Sequence, residues 1–132
     1  MSTYDRRSSD MRDTHEGCSF DLSELSMLYG AAGLRTLLAV ALDEFDCQHL
    51  AMDGALGSAR WPRAAQALHR LTGTAAFFVS DERMLDPLSH AERALRLGDA
   101  SLIDLTIPAA RAALAAIRLA LTGELSKSRE AL

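Results

Sequence analysis

Between Ala64 and Val79 the apolar positions recur at intervals of four, three, four and three, so Ala64, Leu68, Leu71, Ala75 and Phe78 share one side of a helix. His69 lies off that stripe. At roughly 100° per residue it points about 140° from the stripe's centre, which predicts an imidazole facing solvent. Its neighbours on the exposed side are small: Ala65, Thr72, Gly73 and Ala76. A mid-helix glycine costs about 1 kcal/mol relative to alanine, so Gly73, one turn beyond the histidine, calls for a reason such as close approach by another molecule.

The same periodicity outlines the rest of the chain. Phe20 opens the ordered part, with Asp21 as an expected N-cap, Glu24 as its capping-box partner, and Leu22, Leu25 and Leu28 forming a short apolar edge that Gly30 ends. A long helix follows from about Ala32 to Leu56. Leu34, Leu38, Ala41, Phe45, His49, Met52 and Leu56 form its stripe, leaving Asp43, Glu44, Asp46 and Asp53 outside. Gly57 is a stop signal and Pro62 suits the first turn of the helix that carries His69 and runs to about Val79. The next helix starts at Asp86-Pro87, or near Asp81 with a kink at Pro87. It places Leu88, Ala91 and Leu95 inward and closes at Gly98-Asp99. The last stripe is the most regular, with Ile103, Ile107, Ala110, Leu114, Ile117 and Leu121. Pro108 within it predicts a kink or a late start. Such helices joined by short loops predict an all-α fold, an up-and-down antiparallel four-helix bundle with a short additional N-terminal helix. Residues 1–19 read as a flexible polar leader or linker, 20–123 as the bundle, and 124–132 as a charged tail that frays.

Composition narrows the function. With 48% apolar residues in 132, the chain has one core's worth of hydrophobic side chains, and a net charge of −4 with dispersed arginines argues against nucleic acid and anionic membranes as partners. Arg35, Arg111 and Arg118 interrupt the apolar runs, predicting no direct membrane contact. Cys18 and Cys47 have no CxxC context and read as reduced thiols. His49 sits on an apolar stripe as a boundary core residue, His15 and His90 read as tail or surface, and no histidine has metal-ligand spacing. The Gly30 turn, GAAG, lacks the lysine of a phosphate loop. Arg111 and Arg118, a heptad apart, read as the wet face of the last helix.

Taken together, LHRLTGTAAFF at Leu68–Phe78, ERMLDPLSHAERAL at Glu82–Leu95, FDLSELSMLYGAAGLRTLLAVALDEF at Phe20–Phe45 and LRLGDASLIDL at Leu95–Leu105 resemble histidine-containing phosphotransfer domains. The resemblance extends from Phe20 to Leu121. It implies that His69 is the phospho-acceptor, Leu71 the buried leucine that follows it, Gly73 the motif's glycine, Thr74 its small hydroxyl residue, and Glu92 the acidic or amide residue near the imidazole. Two positions depart from the family pattern. Thr72 stands where the motif has lysine, and the bulkier Phe78 and Val79 stand where it has a small residue. Arg70 and Arg63 are the cations nearest in sequence to His69 that could replace that lysine, although both point away from it on the helical wheel.

The implied chemistry is that of a carrier. A neutral imidazole nitrogen attacks phosphorus and holds the group as a phosphoramidate, and alignment and charge neutralisation do most of the remaining work. The resemblance implies that a receiver domain of a response regulator supplies these through an aspartate, a bound Mg²⁺ and a lysine. The chain would need no metal or cofactor of its own and would not be an enzyme with its own turnover. Ala65, Gln66 and Ala76 would give the receiver room to dock. The expected setting is a bacterial two-component phosphorelay in the cytoplasm, with the chain a monomer and most naturally the C-terminal domain of a hybrid sensor histidine kinase. Thr72 motivates an alternative: a degenerate docking module that binds a receiver or kinase without phosphotransfer. A helical adaptor unrelated to signalling is a third reading.

Overall fold

A computed structural model describes residues 20–130; the leader expected over 1–19 lies outside the described residues. The fold is all-α. Helix α1 spans Ser23–Gly57, α2 Trp61–Ala76, α3 Asp86–Leu97 and α4 Ala100–Glu130, with a 3₁₀ turn at Glu82–Leu85 before α3. Each helix packs on the next, and α4 returns to α1. Among the described residues there is no strand, only an isolated bridge between Phe20 and Val79.

The stripes become the core as the periodicity predicts. All five apolar positions of the α2 stripe are buried, as are Leu38, Ala41, Phe45 and Met52 of α1, Leu88, Ala91 and Leu95 of α3, and Ile103, Ala110, Leu114, Ile117 and Leu121 of α4. Leu34, His49, Leu56 and Ile107 are half-buried at the rim. The rings of His49 and Phe45 meet nearly at right angles, with centroids 6.4 Å apart.

Several expectations are corrected at the helix ends. The first helix does break at Gly30 as expected, at a φ of 73° and ψ of 175° that only glycine adopts freely, so α1 is two helical pieces in one span. Leu22, not Asp21, is the N-cap, and the Asp21–Glu24 capping box does not form. Asp21 instead accepts from the Ser23 amide at 3.2 Å and the Ser23 hydroxyl at 2.7 Å, which hold its carboxyl below the usual aspartate range. At the other end of α1 the left-handed residue is Ala59, with φ 55°, which lets the Arg60 amide reach back to the Ala55 carbonyl at 2.8 Å. Helix α2 stops at Ala76, short of Val79. Helix α3 starts at Asp86 as expected, with Leu85 at its N-cap. The earlier start near Asp81 exists as the 3₁₀ turn, where the Asp81 side chain accepts from the Arg83 amide at 3.0 Å.

Pro108 causes no late start. Helix α4 begins at Ala100, where Asp99 accepts from the amides of Ser101 and Leu102, and it runs through the proline. The tail does not fray at Gly123 either: α4 continues to Glu130 because Leu125 extends the stripe and is buried. Arg111 and Arg118 are exposed, but they are paired. Arg111 donates to Asp53 at 2.7 Å and Arg118 to both carboxylate oxygens of Asp46 at 2.7 and 3.0 Å, tying α4 to α1. The three arginines also do not break the apolar runs as expected. By length and composition alone α1 and α4 could each cross a membrane, since a helix of their length can hold a charge or two within an apolar stretch, and only a small part of each stretch is buried.

Candidate functional site

Because α2 has a neighbour on either side, its buried surface is wider than one stripe. Ala65 and Ala67 flank Leu68 on opposite sides and are both buried, so the outward face is a narrow strip bearing Gln66, His69, Arg70, Gly73 and Ala76. Ala65 therefore cannot serve as a docking residue. Its methyl group sits in the packing between helices, and only Gln66 and Ala76 of that expected trio reach the surface.

His69 stands at the middle of this strip with its side chain 70% exposed. Its Nδ1 lies 3.2 and 3.3 Å from the two carboxylate oxygens of Glu92 on α3, a residue distant in sequence that the packing of α3 on α2 brings alongside. A carboxylate only accepts, so Nδ1 carries the hydrogen and, in the neutral ring, the lone pair is left on Nε2. Among the described residues Nε2 has no hydrogen-bond partner. Glu92 is itself tethered: Arg96, one turn further along α3, donates its Nε–H to Oε2 at 2.9 Å, and its Nη2 forms an ion pair with the same oxygen at 2.9 Å. With only 18% of its side chain exposed, the carboxylate loses part of its hydration, and the two donors offset that loss.

Thr72 and Phe78, at the two positions that depart from the resemblance, both make contacts inside the fold. Thr72 is half-buried and donates its hydroxyl hydrogen to the Leu68 carbonyl at 2.9 Å, so it offers no proton outward. Phe78 turns inward, where its ring stacks on Phe20 at 6.1 Å and meets Phe77 edge-on at 5.1 Å, so its bulk does not wall off the histidine. A methyl group placed on Gly73 would meet nothing within 4 Å, which leaves open space one turn beyond His69. Thr74 is half-buried.

Arg70 is exposed, has no ion pair among the described residues, and faces α1, away from Glu92. Arg96 is the residue that sequence reasoning missed: it brings a cation to the histidine through the shared carboxylate. Its i, i+4 spacing from Glu92 was the available signal. Arg70 and Gly73 also line a groove of about 500 Å³ between α1 and α2, with Leu37, Val40 and Phe77. Among the described residues no cluster of His, Cys, Asp or Glu could hold a metal ion, and Cys47 is a free, exposed thiol.

No protein-family model, curated protein or solved structure matches this chain.

Proposed function

We propose that this chain is a histidine phosphotransfer domain of a two-component phosphorelay, accepting a phosphoryl group on His69 from a receiver aspartate and passing it to another receiver. One observation carries the reading: an exposed imidazole on a stiff helix, with Nδ1 held by Glu92 and Nε2 unpartnered beside the open space at Gly73. In the transfer, the Nε2 lone pair forms the bond to phosphorus as the acyl phosphate bond to the receiver breaks. The aspartate leaves as a carboxylate, and Glu92 and Arg96 hold the ring as it becomes cationic. Transfer onward reverses these steps. Mg²⁺ belongs to the receiver, and the chain is a carrier without turnover of its own.

The architecture that goes with this reading is an up-and-down antiparallel four-helix bundle with a short additional N-terminal helix before Gly30. It is supported by the sequential packing of the helices and by the ion pairs Asp46–Arg118 and Asp53–Arg111, whose numbers rise on α1 as they fall on α4. These pairs also favour a water-exposed bundle over membrane-spanning α1 and α4; the setting that goes with the phosphorelay reading is a monomeric cytoplasmic domain, free-standing or joined to a hybrid sensor kinase. Incubation with a phosphorylated receiver labels the chain with an acid-labile, base-stable phosphate. Labelling of His69→Gln at the wild-type rate would sink the assignment.

The commitment of the Thr72 hydroxyl to Leu68 favours a second reading, a docking module that binds a receiver or kinase without transfer. Thr72→Lys separates the two. It gives faster or longer-lived labelling on a working carrier and none on a docking module.

A further inference from the structure

A second groove, of about 410 Å³, runs between the C-terminal half of α1 and the start of α2. Three arginines line it, Arg60, Arg63 and Arg70, together with the polar side chains of Gln48, Ser58 and Gln66, and no carboxylate does. In a chain with four more acidic than basic side chains, that is a local reversal of sign. Arg83, Arg96, Arg111 and Arg118 are neutralised by Asp81, Glu92, Asp53 and Asp46, whereas the groove's arginines, like Arg35 and Arg93 elsewhere, have no ion pair among the described residues; the groove is where three such arginines gather. Glu44 accepts a hydrogen bond from Gln48 at 3.1 Å and lines the adjoining groove. The start of α2 adds to the positive potential, because it has Arg60 at its N-cap, no side-chain cap and no acidic residue in its first turn.

Arg70 lines both grooves, so the arginine cluster runs without interruption into an apolar patch where Val40 and Phe77 are 61% and 50% exposed. We infer that this continuous surface docks a protein segment that presents carboxylates to Arg60, Arg63 and Arg70 and apolar side chains to Val40 and Phe77. A protein segment fits better than a small oxyanion for two reasons. The arginines are exposed, so a small ion held by them stays hydrated and screened, while a partner that covers the groove excludes water and strengthens each pair. The adjoining aromatic and aliphatic side chains give such a partner a core to bury, and arginine beside an aromatic is the composition of interface hot spots.

This docking surface adds to the phosphotransfer reading and does not depend on it, since the test reads binding alone and no phosphoryl transfer. The full chain, labelled with ¹⁵N, is titrated with a synthetic acidic peptide of alternating aspartate and leucine. Separate titrations use the matching lysine–leucine peptide and inorganic tripolyphosphate. The expected result is saturable shifts at the side-chain Nε–H groups of Arg60, Arg63 and Arg70 and at the Phe77 amide with the acidic peptide only. Affinity should fall at least about tenfold between about 50 and about 300 mM salt and be lost in Arg63→Glu/Arg70→Glu. Both positions are exposed, and an unchanged melting curve shows that the double variant is folded. His69→Gln binds as wild type does. Shifts that map away from the groove, equal binding of the lysine peptide, or a response to tripolyphosphate without one to the acidic peptide would each overturn the inference.

Discussion

The two flanks of α2 are built from similar side chains and are completed differently. Towards α3, His69, Glu92 and Arg96 form a closed chain of donors and acceptors. Towards α1, Arg60, Arg63 and Arg70 gather without a carboxylate among them. The first flank spends its polar capacity internally and fixes one ring. The second leaves its capacity to whatever binds there. A rigid apolar floor makes both possible, because Leu68 and Leu71 are fully buried beneath the strip.

Removing that floor has the largest expected effect. Leu68→Ala destabilises the chain by about 2–5 kcal/mol in urea unfolding and blurs both flanks together. His69→Gln, on the surface above it, changes stability by less than about 0.5 kcal/mol. A floor variant that damaged only one flank would show that the two do not share a foundation. Gly73 sharpens the contrast between packing and access. Gly73→Ala raises stability by about 1 kcal/mol, since a methyl group has room and glycine costs helix entropy. Gly73→Trp leaves the chain folded by circular dichroism and blocks labelling of His69. Glu92→Ala opens the closed flank: receiver labelling slows roughly fivefold, in line with one hydrogen bond of about 1 kcal/mol. The ¹⁵N spectrum of His69 then shows a mixture of tautomers in place of the Nδ1–H form.

The smallest expected effect lies away from α2. Hydrogen bonds from Arg118, with lesser contributions from its charge and from His49, hold the Asp46 carboxyl below its ordinary value of 3.8. A lowered folded pKa contributes stability that is fully present above the ordinary value and is lost as pH falls through the folded one. Asp46→Asn is therefore slightly less stable than wild type in urea at pH 7, by the modest amount of an exposed ion pair, and the gap closes in acid below the ordinary aspartate pKa.

The core could be read from the sequence because burial has a period. The positions of Ala64, Leu68, Leu71, Ala75 and Phe78 needed only the helix repeat. Ala65 was misread because a single stripe says nothing about a second neighbour, and α3 and α1 together cover more of α2 than one stripe. The stacking of Phe78 on Phe20, far away in the chain, is encoded by no local pattern. The Glu92–His69 contact entered through family resemblance. Its completion by Arg96 was visible in the i, i+4 spacing, but only once Glu92 had been placed beside the histidine. Arg111 and Arg118 looked idle because their partners, Asp53 and Asp46, lie on another helix and carry the same heptad spacing.

That matched spacing works as a vernier. Slide α4 along α1 by one heptad and a single arginine still meets an aspartate, while the other arginine and the other aspartate lose each other. Only one axial setting closes both contacts at once. The longest helices of the molecule therefore carry their own alignment marks, and a deletion or insertion of one residue between the two marks on either helix would rotate one of them out of reach.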